Sequence, residues 1–317
     1  MKNLIEEDIQ EHVLIIDGHN VIFRTIFASQ SELDREHLED PNFTYFKIYF
    51  LNSIKSLCQK FNPTRLIIAI DAKNGWRKKV YPEYKQQRKK ARDDSKVDFE
   101  ALFKILDPFL EELQNAFQNL EILKVDEAEG DDIIAVACQN ISSRITIVST
   151  DHDFYQLHTL KNVKQFNPKD KQIVKPLNGK TSLEVKILGG DKNDNIPAIF
   201  PRCGPKTVAS LMSSNFLTNL YDDEYFKLEE NLKAFKEKTK LQPEEVRKNL
   251  QRNTQLIDFK HIPTEIKSRI LEKIQSPNVK KFDGRKFMNF IIRHELSPII
   301  DRAGDFTSTL GKINTQN

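Results

Sequence analysis

The chain has 317 residues, 38% of them hydrophobic and 30% charged, with a net charge of +3, enough for one large domain or two small ones around a sizeable core. Mean hydropathy is −0.55, no apolar run approaches the ~18 residues of a bilayer span, and residues 1–10 are acidic and polar, unlike a signal peptide. Cys58, Cys138 and Cys203 are too few and too scattered for a disulfide framework or a zinc cluster, so the composition argues against a membrane protein, a secreted disulfide scaffold or a zinc enzyme and for a reduced cytoplasmic one.

Three β-branched apolar runs end in aspartate: His12 to Asp17, Leu66 to Asp71 and Ile145 to Asp151. Helical patterns over Phe43 to Phe61, Phe99 to Phe117 and Asp131 to Asn140 separate them, which predicts buried strands of a parallel sheet. The fold class is therefore α/β, a central and mostly parallel sheet flanked by helices. Ligands of such sheets bind beyond the carboxyl ends of the strands, where the three aspartates fall. Between the second run and the next helix, residues 77–92 carry Arg77, Lys78, Lys79, Lys85, Arg88, Lys89, Lys90 and Arg92 against a single acid, Glu83. Cations this dense, with Tyr81 and Tyr84 among them, suit contact with phosphates and stacking on bases.

Further on, Phe166 to Thr181 reads as a small hairpin or edge around Asn178-Gly179. Beyond about residue 183 the pattern is helical, over Phe226 to Thr239, Glu244 to Leu256, Thr264 to Ile274 and Arg285 to His294, with Pro243 and Pro263 at helix starts. Nucleotide motifs fail: there is no G-x-G-x-x-G, and Asn178-Gly179-Lys180-Thr181 has Val174 where a phosphate loop needs glycine.

The acids carry the chemistry. Glu129-Gly130-Asp131-Asp132 opens an apolar helix, Asp151-His152-Asp153 follows the third strand, and Asp191-Lys192-Asn193-Asp194 adds two more carboxylates. With Asp17 and Asp71 the candidate metal set is Asp17, Asp71, Glu129, Asp131, Asp132, Asp151, Asp153, Asp191 and Asp194. Converging carboxylates repel one another and raise their pKa values. Two magnesium ions, with manganese as a substitute, remove that penalty, and all-oxygen sites suit them better than zinc. Such a pair, about 3.5–4 Å apart, can activate a water and clamp both oxygens of a phosphodiester.

These segments resemble the 5′-nuclease superfamily of flap endonucleases and 5′→3′ exonucleases over roughly residues 12–260. Ile15 to Asn20 looks like its first strand, and Tyr81-Pro82-Glu83-Tyr84-Lys85-Gln86-Gln87-Arg88 is similar to its Y-P-x-Y-K-x-x-R arch motif. Glu129 to Asp132 resembles E-A-D-D, Ser149 to Asp153 matches S-x-D-x-D, and Gly190 to Pro197 is close to G-D-x-S-D-N-I-P. A late segment, Leu256 to Pro263, is similar to that of its stand-alone ribonuclease H members. The resemblance implies a PIN-like core over 12–185 with an arch at about 72–98, a helix–hairpin–helix duplex-binding region over 186–260, and a C-terminal helical region over 261–317.

It also implies removal of RNA primers and adjoining DNA from the 5′ end during replication. The expected substrates are RNA–DNA hybrids and duplex DNA with a 5′ overhang, flap or fork. A single-strand-binding protein or a sliding clamp is the implied protein partner, and no membrane is involved. Lys85 and Arg88 would contact the scissile phosphate as catalytic residues, and Tyr84 would stack on a base. Arg77, Lys78, Lys79, Lys89 and Lys90 complete the nucleic-acid-binding arm. The family's hairpin G-V-x-G-I-G-x-K-T-A is altered here: Gly204, Lys206 and Thr207 keep register, one residue is added before them, and Arg202 is a candidate substitute. Two alternatives remain at this level, a structure-specific binder without catalysis and a PIN-type RNA endonuclease.

Overall fold

The computed structural model describes residues 11–32, 43–88, 94–95, 97–176 and 178–313. Six strands form one sheet in the order β3-β2-β1-β4-β5-β6: β1 His12–Asp17, β2 Arg65–Ile70, β3 Glu121–Lys124, β4 Arg144–Val148, β5 Val163–Asn167 and β6 Gln172–Ile173. All neighbours run parallel except the β5–β6 pair. The order reverses direction at β1, which puts the topological switch between β1 and β4, at the carboxyl ends where Asp17 and Asp151 sit.

The predicted strands are continuous in apolar character because both faces are covered. On one face Leu14, Ile16, Leu66, Ile68 and Ile70 meet the Thr44–Phe61 and Phe99–Ala116 helices, and also Phe287, Phe290, Ile299 and Phe306 from the C-terminal helices. Alternate residues Val13, Ile15, Ile67, Ile145 and Ile147 face the Gly130–Asn140 helix and Ile266, Ile270 and Ile274 of the Thr264–Gln275 helix. That alternation is the period of two of an extended chain. Residues beyond 261 thus complete both layers over the sheet. A smaller core, with Leu188, Phe200, Val208, Leu211, Phe216, Phe235 and Val246, holds the helices between 179 and 257 together. Cys58, Cys138 and Cys203 are buried and free, and no helix among the described residues is long and apolar enough to cross a membrane.

One turn differs from expectation. The hairpin joins β5 to β6, with Phe166 opposite Ile173 and Asn167 opposite Gln172. Its reversal is made by Asn167, whose Oδ1 accepts from the Lys169 amide at 2.8 Å, an Asx turn. Asn178 instead caps the Gly179–Gly189 helix, accepting from the Thr181 amide at 3.3 Å. Gly179 is required by close approach rather than by a turn, since a Cβ there would lie 2.4 Å from the Tyr155 carbonyl oxygen.

Candidate active site

The carboxyl ends of β1, β2 and β4 present Asp17, Asp71 and Asp151, and the first turn of the Gly130–Asn140 helix adds Asp131. Backbone and hydroxyl donors hold them. Asp17 accepts from the Asn20 amide at 3.1 Å and the Ser149 hydroxyl at 2.7 Å. Ser149 Oγ also accepts from the Asp151 amide at 3.0 Å, so one buried serine ties the two aspartates across neighbouring strands. The Gly130 amide donates to Asp71 Oδ1 at 2.6 Å, and the Asp71 amide donates to His19 Nδ1 at 3.1 Å.

No lysine or arginine among the described residues pairs with these four acids; the one basic side chain beside them is His19, whose Nδ1, the acceptor of the Asp71 amide, lies 3.6 Å from Asp71 Oδ2. Burial, with the Asp71 and Asp151 charges, pushes Asp17 up to about 7 despite its hydrogen bonds. Burial and the charges of Asp151 and Asp17 raise Asp131 well above the ordinary carboxylate range. This donor set, all carboxylate oxygen and short of positive charge, fits a hard divalent cation. No three His, Cys, Asp or Glu side chains among the described residues converge as a ready-made cage, so an ion here would keep much of its water, as magnesium does.

The remaining five acids are differently placed, because each is paired with a protein cation. Glu129 meets Lys85 Nζ at 2.9 Å, Arg77 at 2.9 Å and the Tyr84 hydroxyl at 3.0 Å. Burial opposes its ionisation, but Lys85 and Arg77 hold it down to about 2. Asp194 takes Arg88 at 2.6 Å and lies 2.9 Å from the same Tyr84 oxygen; one phenolic proton serves one of the two carboxylates at a time. Asp153 and Asp191 share Lys186, whose Nζ is 2.7 Å from Asp191 Oδ2.

The three most deeply buried of the expected site residues are Asp132, Arg77 and Tyr84. Asp132 is fully buried, accepting from Trp76 Nε1 at 3.0 Å and pairing with Arg77 at 2.8 Å. Its other task is to cap its own helix, through the Glu129 amide at 2.9 Å. Arg77 is 3% exposed and spans Glu129, Asp132 and the Leu256 carbonyl; it is an internal strut rather than a surface contact for nucleic acid. Tyr84, also 3% exposed, is packed with Ile196, Leu256 and Ile257, and its ring face is not open to a base.

The cationic segment is pinned to the acidic loop that follows the Gly179–Gly189 helix. The Lys85 amide, at φ 57°, donates to the Asp194 carbonyl at 2.9 Å, Gln87 donates to the Lys192 and Asn193 carbonyls, and Asn195 donates to the Glu83 carbonyl. Lys78 is exposed, Lys79 pairs with Glu127, and Lys89 and Lys90 lie outside the described residues. Farther along, exposed Arg202 and Lys206 line a hollow with Thr207, Lys238 and Lys240, and Gly204 caps the Pro205–Met212 helix.

Beside Asp71 and Glu129 opens a cavity of about 830 Å³, with Lys73, Lys78, Lys85 and Arg88 on its polar side and Phe23, Phe99, Phe103 and Leu106 on its apolar side. The aromatic wall and Lys186 escaped the sequence reading. Apolar positions on helices read as core, and a lone lysine in a helical pattern reads as solvated.

The acids at the carboxyl ends of this parallel sheet thus lie beside a cavity walled by cations, and the family is found independently. Residues 12–192 match the family described as 5′-3′ exonuclease, N-terminal resolvase-like domain. The chain belongs to this family, and it is a nuclease. Among its relatives is ribonuclease H of Enterobacteria phage T4, 30% identical, with 96% of this chain and 99% of that one aligned. The 5′-3′ exonuclease of Aquifex aeolicus is 30% identical over 62% of this chain and 68% of its own. In fold, the chain is similar to a flap endonuclease of bacteriophage T5 crystallised as a variant with DNA and metal ions: TM-score 0.59 at 18% identity, covering 84% of this chain and 98% of that one.

Proposed function

We propose that this chain is a magnesium-dependent 5′→3′ exonuclease and flap endonuclease that hydrolyses RNA–DNA hybrids and duplex DNA near the 5′ end, removing RNA primers during replication. The observation that carries the reading is the group Asp17, Asp71, Asp131 and Asp151, without lysine or arginine partners among the described residues and beside a cation-walled cavity. Magnesium held by these four, and shared with Glu129, Asp153, Asp191 and Asp194, would supply an activated water and offset charge on the leaving oxygen.

The chain's own residues would do the rest. Lys85 has three N–H donors, and its 2.9 Å bond to Glu129 uses one, leaving others for a phosphate oxygen. Arg88 offers an exposed guanidinium on the same side. Together they would orient the phosphate and offset its developing negative charge. The Phe23, Phe99 and Phe103 wall would give bases an apolar surface, with residues 72–98 arching over the departing strand. Arg202, Gly204, Lys206 and Thr207, with Lys238 and Lys240, would grip duplex phosphates downstream.

The test is cleavage of a 5′-labelled RNA–DNA hybrid and a DNA flap, in magnesium and then in EDTA. Short 5′ products from both substrates, abolished by EDTA, are expected. Tight binding without products in either magnesium or manganese would favour a binder that has lost catalysis.

A further inference from the structure

Asp153 and Asp191 reach the edge of the site from different elements. Asp153 begins the Asp153–Thr159 turn after β4, and Asp191 stands at the bridge to Ile196 that closes the acidic loop. Lys186, near the end of the Gly179–Gly189 helix, inserts its ammonium between them. The exposure of the three side chains is 25% for Lys186, 19% for Asp153 and 11% for Asp191. Both Asp191 oxygens are engaged: Oδ2 takes the ammonium and Oδ1 accepts from the Asn193 amide at 2.8 Å. The four acids around Asp17 are the contrast, since no lysine or arginine among the described residues pairs with them.

We propose that Lys186 is a built-in competitor for a divalent cation on Asp153 and Asp191. This rests on the metal-dependent reading above. One ammonium cancels one of the two carboxylate charges, so the pair keeps a net charge of about −1 that a divalent ion would remove more fully. To bridge the two carboxylates through the oxygens that Lys186 holds, that ion has to displace the ammonium. The flexible four-carbon stem of lysine permits the move, where the rigid fork of arginine would hold both carboxylates. The site is thereby graded: the four-acid group takes the first ion, and the Asp153–Asp191 pair takes a second one weakly, against its own lysine. Displacement frees the ammonium for another anion, and a substrate phosphate is the nearest candidate in chemistry.

Manganese binding to the full chain without nucleic acid, followed by electron paramagnetic resonance of the free ion, tests this apart from cleavage. In the parent, a tight and a weak class of site are expected. Lys186→Met should tighten the weak class at least about tenfold and leave the tight class unchanged. Lys186→Arg keeps both ion pairs and the fold, and should weaken the second class further. Unchanged weak-class affinity in both variants would overturn the proposal and reduce Lys186 to a tie between two elements. Absence of any bound manganese in the parent would overturn the metal-dependent reading as well, so the two failures are distinguishable.

Discussion

Tyr84 illustrates how a side chain's surroundings override its type. Its ring packs on Ile196, Leu256 and Ile257, and its hydroxyl sits between Glu129 and Asp194. Removing only the hydroxyl leaves one of two buried carboxylates short of a donor, a loss of about 1–3 kcal/mol. Tyr84→Phe should therefore lower the urea midpoint of unfolding with the ring retained. An unchanged midpoint, with binding of single strands lost on Tyr84→Ala, would restore the stacking role. Asp151 acts at the same scale but in the chemistry. Asp151→Asn keeps the shape and removes one charge from the four-acid group, and outer-shell partners of a metal already matter by about 10–100-fold. Single-turnover cleavage should fall at least 100-fold while substrate affinity by filter binding stays within about threefold; unchanged turnover would remove Asp151 from the site.

Among the elements, the loop from Gly190 to Ile196 does the most for the site. It carries Asp191 and Asp194, holds the Lys85 and Gln87 side of the cationic segment, and closes through hydrogen bonds of 2.8 Å in both directions between Asp191 and Ile196. Gly190 lets it start, at φ 74° and ψ −179°, a backbone region open essentially to glycine alone. A Cβ there would also lie 2.3 Å from the Ile196 carbonyl oxygen. Gly190→Ala is expected to cost about 2–3 kcal/mol in urea unfolding and to loosen Lys85 and Arg88 together. A stable variant with normal cleavage would show that the loop tolerates another path.

For the molecule as a whole, the concentration of buried acid at one end of the sheet has a thermodynamic signature. Asp17 near 7 and Asp153 near 6, both raised first by burial, and Asp131 raised well above its ordinary value, contrast with about 3.9 for an unperturbed aspartate. Between pH ~4 and ~7 the folded protein thus holds protons that the unfolded chain has released, so these groups make the metal-free fold lose stability as pH rises. A divalent cation should offset that loss, by about 2.7 kcal/mol at a concentration 100-fold above its Kd. The rise in melting temperature on replacing EDTA with magnesium is expected to be larger at pH 8 than at pH 5.5. Equal shifts at the two pH values would mean that the ion binds elsewhere.

By itself the sequence determined the sheet and the location of the acids. A strand buried on both faces must be apolar throughout, so β1, β2 and β4 announce themselves, and an aspartate where such a run stops lands at the carboxyl edge whatever else the chain does. The short β3 and the helix behind Asn178 carried too little pattern to be read, since four residues hold two alternations and an Asn-Gly pair serves a turn or a cap equally well. Charge state was decided by tertiary structure alone. Arg77 lies 52 positions from Glu129, and Lys186 lies 33 from Asp153, so no local pattern reveals that, among the described residues, five of the nine acids pair with lysine or arginine and four do not. Coulomb energy depends on distance in space and on exclusion of water, and both are fixed only when the sheet, the cationic segment and the acidic loop close on one another.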